Sequence, residues 1–104
     1  MITYYDKQGN IVTDIHELNK LFEDPEYKRV AQTTLSDSKW VSTVWLGINH
    51  RYNDDDPPLI FETMVFLYKG DYMELDGKRY STEKDALRGH DEMVAKWSTA
   101  KSLP

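Results

Sequence analysis

The apolar positions between residues 40 and 66 follow the pattern of a long antiparallel hairpin. Two segments, WVSTVWLGINH and LIFETMVF, are rich in β-branched and aromatic residues, and the RYNDDDPP segment between them is polar and rich in turn formers. Alternation sorts the first arm into two faces: Trp40, Ser42, Val44, Leu46 and Ile48 on one, and Val41, Thr43, Trp45 and Gly47 on the other. Both faces carry apolar side chains. We therefore expect a central strand that is covered by helix on one side and by aromatic side chains or a second subunit on the other.

Helical spacing of apolar residues predicts one helix before the hairpin and one after it. The first begins at Asp14, which opens a capping-box pattern, and ends at Asp24, because a following proline disfavours helical dihedrals. Its apolar stripe consists of Ile15, Leu18, Leu21 and Phe22. The second helix begins near Thr82, and its stripe consists of Ala86, Leu87, His90, Met93, Val94 and Trp97. Gly89, inside this helix, is compatible with tight packing against the sheet.

Four further segments have strand character. ITYY and IVT flank the DKQGN turn, YKRVAQTTL precedes the hairpin from Tyr27 to Leu35, and KGDYMELDGKRY follows it. In the last segment we expect a short strand at 72–75 between turns at 69–71 and at Asp76-Gly77. These elements predict an α+β fold in one domain, residues 1–104, with an antiparallel sheet of about five to six strands, both helices on one face, and the order ββαββββα. We expect residues 98–104 to fray.

The register of the hairpin decides which polar side chains can meet. If Asn49 lies opposite Leu59, then Glu62 pairs with Leu46, and His50 lies roughly 13 Å from Glu62 along the strands. This separation is too long for a direct catalytic dyad between the two side chains.

Trp45 and Phe61 share a face of the hairpin in this register. We expect it to be the face that the helices leave uncovered, where both rings would be available to a second copy of the chain. Replacing Trp45 with alanine would then weaken dimerisation or folding.

Charge is concentrated in the middle of the chain. The net charge is −5, and residues 50–76 carry seven acidic side chains against two basic ones. Such a field disfavours direct binding to nucleic acid and favours a basic protein partner or a cation, although acidic runs more often only face solvent. The chain contains no cysteine and no apolar run of membrane-spanning length, and its N-terminus does not resemble a signal segment. We expect a cytoplasmic protein that does not bind membranes.

No spacing in the chain predicts a metal or a cofactor. The three histidines, His16, His50 and His90, lack the spacings of zinc sites, and the aspartates at 54–56 lack the alternation of a calcium loop. The sequence contains no GxGxxG, GxxxxGK[ST] or GxSxG motif. We therefore expect no cofactor and no metal.

The candidate site residues gather around the mouth of the hairpin. Weak catalytic candidates are His50, Glu62 and His90, and candidates for binding are Trp45, Asn49, His50, Asp54, Asp55, Asp56 and Glu62. For His90, on the apolar stripe of a helix, a hydrogen-bonded core histidine is more common than a ligand. For Glu62, an ion pair at the rim is more common than a carboxylate with a shifted pKa in a pocket.

Three segments, VSTVWLGINH, PPLIFETMVF and RYSTEKDALRGHDEMV, together resemble a pattern found in small proteins encoded by bacteriophages and prophages. The likeness spans about residues 27–95, and the matching residues are Trp45, Gly47, Asn49, His50, Glu62, Thr63 and His90. The resemblance implies a phage or prophage origin and a setting in the host cytoplasm, and it implies no activity. RYNDDD departs from the shorter glycine-rich linker of the pattern, so no binding role is carried over to the aspartates.

Two classes of function remain open. The first, which small size, acidic asymmetry and the lack of catalytic motifs favour, is a non-enzymatic module that binds a host or phage protein through the hairpin and its acidic loop. The second is a small enzyme or ligand-binding protein, which requires Asn49, His50, Glu62 and His90 to converge on one concave site. A phage structural or packaging accessory protein is a third, weaker alternative, and it would form a symmetric oligomer.

Overall fold

The computed structural model describes residues 2–49 and 56–99. Within these ranges the chain forms six strands and three helices, which confirms the α+β class and the antiparallel pairing. The single sheet of about five to six strands was wrong, because the strands divide into a sheet of four and a sheet of two, and a third, short helix precedes the larger sheet. In chain order the elements are β1 (Tyr4–Tyr5), β2 (Ile11–Val12), α1 (Ile15–Glu23), α2 (Pro25–Lys28), β3 (Arg29–Thr34), β4 (Trp40–Trp45), β5 (Phe61–Phe66), β6 (Glu74–Tyr80) and α3 (Glu83–Thr99).

The last four strands form one antiparallel sheet in the order β3-β4-β5-β6, so that β3 and β6 are its edges. β1 and β2 pair with each other as a separate ribbon. A bridge between Tyr4 and Ile48 joins this ribbon to the chain after β4, and the Tyr5 amide donates to the Gly47 carbonyl at 2.8 Å. Gly47 has a φ of +76°, and an added Cβ would lie 2.8 Å from the Trp45 ring, so this turn requires glycine.

Side chains cap the helices where the sequence predicts. Asp14 accepts hydrogen bonds from two amides of the first turn of α1, and Thr82 Oγ1 accepts one from the Asp85 amide at 3.1 Å. These side chains satisfy amides that have no partner inside the helix. Asp24 ends α1 as expected, and it also caps the one-turn helix α2 that begins at Pro25. β3 therefore begins at Arg29 rather than at Tyr27, which is a correction to the sequence prediction.

All three helices lie on one face of the four-stranded sheet, which we call the helix face. α3 contacts all four strands. Phe22 from α1 and Tyr27 from α2 pack on the Trp45 ring, with centroid distances of 5.1 and 5.0 Å. Two core clusters fill the space beneath the helices, Trp45, Ile60, Phe61, Tyr80 and Ala86 in one, and Leu35, Val41, Val65 and Met93 in the other. The opposite face, which we call the open face, has no described helix against it.

The placement of Trp45 and Phe61 on the uncovered face was wrong. They lie directly opposite each other on the helix face, and they are only 2% and 0% exposed. Alternation correctly put the two rings on one face. It did not decide which face the helices cover, because β4 is apolar on both sides.

The observed register of the hairpin differs by two residues from the predicted one. Glu62 pairs with Val44 rather than with Leu46. Because the shift is an even number of residues, side chains that were predicted to share a face still share one. Asn49 still reaches Leu59, but through its side chain, whose Oδ1 accepts the Leu59 amide at 3.3 Å.

β6 is the largest difference from the predicted elements. The strand runs from Glu74 to Tyr80 through Asp76-Gly77, which the sequence pattern predicted as a turn after a strand at 72–75. Pairing with β5 therefore prevails over local turn chemistry. At the C-terminus, residues 98 and 99 continue α3 rather than fraying, and residues 100–104 lie outside the described residues.

Candidate functional site

The open face carries a row of large apolar side chains along the central hairpin. β4 contributes Trp40 and Val44, and β5 contributes Met64 and Phe66, all of them half-buried. Trp40 lies directly opposite Phe66, and their ring centroids are 5.8 Å apart with an interplanar angle of 32°. Ser42, between Trp40 and Val44, is 7% exposed. Packed aromatic rings on an uncovered sheet face are a common basis for protein recognition.

The connection between β5 and β6 begins directly after Phe66, at the Trp40–Phe66 end of the open face. Its exposed apolar side chains are Leu67, Tyr68, Tyr72 and Met73. Lys69 from the same connection places its Nζ 5.9 Å from the centroid of the Trp40 ring, a cation–π distance. Lys69 therefore brings this connection close to the Trp40 end of the open face.

Glu62 lies on the open face in an ion pair. Arg79 Nε donates to Glu62 Oε2 at 3.0 Å across the β5–β6 pair. The Glu62 side chain is 16% exposed and that of Arg79 is 37% exposed. Of the two interpretations of Glu62, the structure shows the ion pair at the rim, which gives the carboxylate its charge partner.

His90 lies on the helix face with 4% of its surface exposed. Its Nε2 shares a hydrogen bond with the Thr33 hydroxyl at 2.9 Å, and its Nδ1 shares one with the Thr43 hydroxyl at 2.7 Å. The Thr43 hydroxyl is also 2.5 Å from that of Thr63, which hydrogen-bonds in turn to Tyr80. Burial disfavours the imidazolium and lowers the pKa of His90. His90 is therefore a hydrogen-bonded core residue whose burial favours the neutral ring.

Tyr80 packs directly on the backbone of α3 at Gly89. A Cβ added to Gly89 would lie 2.1 Å from the Tyr80 hydroxyl oxygen, so any side chain there would displace the ring. Burial raises the pKa of the Tyr80 phenol, against the opposing effect of its hydrogen bond to Thr63. The sequence analysis associated Gly89 with tight packing of this helix against the sheet, and the contact with Tyr80 is packing of that kind.

The predicted site residues do not gather in one pocket. Glu62 lies on the open face and His90 on the helix face, with the sheet between them. Asn49 is half-buried at the end of the hairpin, Trp45 belongs to the core, and Asp56 is exposed. The remaining candidates, His50, Asp54 and Asp55, lie outside the described residues. One concave site cannot include both Glu62 and His90.

Three clefts border β6, and the charged groups along them are mostly paired with one another. These ion pairs are Glu62–Arg79, Asp85–Arg88 and Asp76–Lys96. Within residues 2–49 and 56–99, no set of three or more histidine, aspartate or glutamate side chains is arranged to hold a metal ion. No helix in this part of the chain is both long enough and apolar enough to cross a membrane.

Sequence analysis did not select the apolar residues that β5 contributes to the open face. Met64 and Phe66 were not among its candidates, although the alternation of Glu62, Met64 and Phe66 in β5 assigns them to one face. The missing information was the position of the helices, which decides that this face is the uncovered one.

Comparison of the chain with protein-family models, with curated proteins and with solved structures found no match. The resemblance to phage and prophage proteins therefore stays a prediction.

Proposed function

We propose that this chain is a non-enzymatic interaction module that binds a protein partner through the open face of the β4–β5 hairpin. The observation that supports this proposal is the row of Trp40, Val44, Met64 and Phe66 on a sheet face with no described helix against it. Removing apolar surface from water lowers the free energy of the system. A contiguous apolar patch on a small protein commonly marks a binding site. Aromatic residues are also enriched among those that dominate binding energy.

The charge around the hairpin favours a partner with a basic rim. Residues 50–76 account for a net charge of −5, as large as that of the entire chain. A negative field accelerates encounter with a positively charged surface and contributes more to specificity than to affinity. We therefore propose a partner with an apolar centre that contacts the open face and basic residues that approach Asp54, Asp55 and Asp56.

We further propose that the protein originates from a phage or prophage and acts in the host cytoplasm on a host or phage protein. The support is the resemblance of its VSTVWLGINH and PPLIFETMVF segments to proteins of that origin. The enzymatic alternative is not proposed, because Glu62 and His90 lie on opposite faces of the sheet.

The test compares capture of partners from phage-infected host cells by the tagged wild type and by Met64→Lys. A lysine at this half-buried position places a charge in the middle of the apolar row. The matched control is Leu87→Lys, which introduces the same charge at a 45% exposed position of α3, away from the open face. We expect a partner captured by the wild type and the control, and recovered at least about tenfold less by Met64→Lys. Equal recovery by all three would contradict the proposal.

A second variant, with Asp54, Asp55 and Asp56 all replaced by asparagine, tests the acidic loop separately. We expect slower association and a weaker dependence on salt, because long-range attraction between exposed charges is screened by ions. If association with the same partner is unchanged, the acidic loop has no part in binding and only the open face remains.

A further inference from the structure

β6 is an edge strand whose charges change sign at its centre. Within the described residues it pairs with β5 on one side and with no strand on the other. Its sequence, ELDGKRY, places Glu74 and Asp76 before Gly77, and Lys78 and Arg79 after it. An edge strand offers unpaired backbone amides and carbonyls to a further strand, and its side chains decide which strand is accepted.

An antiparallel copy of β6 is complementary to this charge pattern. If two copies pair about Gly77, Asp76 of each copy lies opposite Lys78 of the other. This register brings opposite charges together twice, once on each side of the two-fold axis. Opposite charges in facing positions stabilise a strand pair, whereas like charges, as a parallel in-register copy would bring together, destabilise it.

The middle of β6 is also accessible to another backbone. Gly77 has no side chain to obstruct a close approach, and Gly77, Lys78 and Arg79 are exposed. Leu75, at the irregularity in the β5–β6 ladder, is 40% exposed and adds apolar area beside the charges. Asp76 accepts hydrogen bonds from Lys96, from Trp97 and from the Gly77 amide at 2.9 Å, which hold its carboxylate in place and lower its pKa. Pairing about Gly77 therefore exchanges the bond of this amide to Asp76 for one to the other copy.

The other edge of the sheet lacks this complementarity. β3, with the sequence RVAQTT, has Arg29 as its single charged residue, so a second copy of β3 brings no opposite charge to it. Charges on an edge strand ordinarily exclude foreign strands, because few of them carry the matching pattern. A second copy of β6 does carry the charge pattern that matches the first.

We propose that two copies of this chain associate through antiparallel pairing of their β6 strands, which joins the two four-stranded sheets into one of eight strands. The inference rests on the edge of the sheet and is independent of the interaction proposed for the open face. One strand pair buries less than the roughly 1,200 Å² of the smallest standard interfaces, so the dimer depends on protein concentration. Its two-fold axis is perpendicular to the sheet and places both open faces on the same side.

Cross-linking tests the geometry, because the chain has no cysteine of its own. In Gly77→Cys the new Cβ meets mainly the end of the flexible Glu74 side chain, at 2.9 Å. Facing residues of an antiparallel pair have Cα atoms about 4.5 to 5.5 Å apart, which suits a disulfide. The matched control is Gln32→Cys, an exposed position on the β3 edge. Under mild oxidation we expect Gly77→Cys to form covalent dimers at least about fivefold faster than the control. Equal rates would overturn the proposal.

Sedimentation of the cysteine-free chain tests the charge pattern. Lys78→Glu places a negative charge opposite Asp76 at both symmetric positions, and we expect the dimer dissociation constant to rise at least about tenfold. Lys84→Glu makes the same change in net charge at an exposed position of α3, and we expect it to leave the constant within about twofold of wild type. A wild type that stays monomeric up to submillimolar concentration, or a dimer that Lys78→Glu does not weaken, would overturn the proposal. Neither result would affect capture of a partner through the open face.

Discussion

The two faces of the central hairpin are built from the same strands and differ in everything that surrounds them. Trp45 and Trp40 belong to one strand and lie an odd number of residues apart, so their side chains lie on opposite sides of the sheet. Trp45 is 2% exposed beneath Phe22 and Tyr27, whereas Trp40 is half-buried beside Phe66. The same type of residue therefore contributes to folding on one face and is available for recognition on the other. This contrast can be tested directly.

The largest expected effect is that of Trp45→Ala. Removing an indole from the core leaves a cavity and costs about 3 to 5 kcal/mol of the free energy of unfolding. Trp40→Ala removes an indole that is already partly in water and should cost about 1 kcal/mol. Urea denaturation of the two variants measures both costs. Similar losses of stability would contradict the distinction between the two faces.

Gly89→Ala is expected to have the next largest effect. Alanine stabilises an exposed helix by about 1 kcal/mol relative to glycine. Here the added Cβ would lie 2.1 Å from the Tyr80 ring, so we expect a loss of about 1 to 3 kcal/mol instead. Thermal denaturation measures whether the substitution raises or lowers stability.

The control for this substitution is Gly77→Ala, on the exposed edge of the sheet, where the nearest atom belongs to the movable Glu74 side chain. We expect no loss of stability there, because alanine is preferred to glycine within a strand. A gain in stability for Gly89→Ala would mean that the Tyr80 ring is not held against α3.

The smallest expected effect is a pH dependence from His90. Its pKa is lowered in the folded protein, because burial disfavours the charged ring, so between the folded and the unfolded pKa the unfolded chain binds more protons. Stability should therefore be fully present above the unfolded pKa of about 6.5 and should decrease as the pH falls below it, by at most about 1.4 kcal/mol per pH unit.

Urea denaturation at a series of pH values between about 7.5 and 5 measures this slope, above the range in which carboxylates titrate. His90→Asn should reduce it, whereas His16→Asn, at an exposed position of α1, should leave it unchanged. If stability depends on pH equally in His90→Asn and in the wild type, His90 is not the cause of the dependence.

Local patterns were sufficient to predict most of the elements. Asp14 and Thr82 mark the helix starts because their side chains cap amides in the first turn, an interaction that needs no distant partner. Strand alternation likewise gave the two sets of side chains in β4, because it depends only on the backbone. The ion pair of Glu62 and the core position of His90 were each one of two interpretations that the sequence left open, and tertiary contacts decided between them.

The features that depend on distant contacts were not predictable in this way. Asp76-Gly77 has the composition of a turn, yet Lys96 and Trp97 of α3 hold the Asp76 carboxylate while β5 pairs with the backbone on either side. The face of the sheet that α3 covers is likewise decided by packing, and so the sequence could not show that Trp40 rather than Trp45 is available to a partner.

The hydrogen-bonded side chains around His90 have one further consequence. Thr33 belongs to one edge strand and Tyr80 to the other, so the series of hydroxyls that includes Thr43 and Thr63 crosses the sheet from edge to edge. A neutral imidazole donates from one nitrogen and accepts at the other, so each tautomer of His90 fixes the direction in which the hydroxyls donate. The nitrogen chemical shifts of a single ring would therefore record the direction in which the whole series of hydroxyls donates.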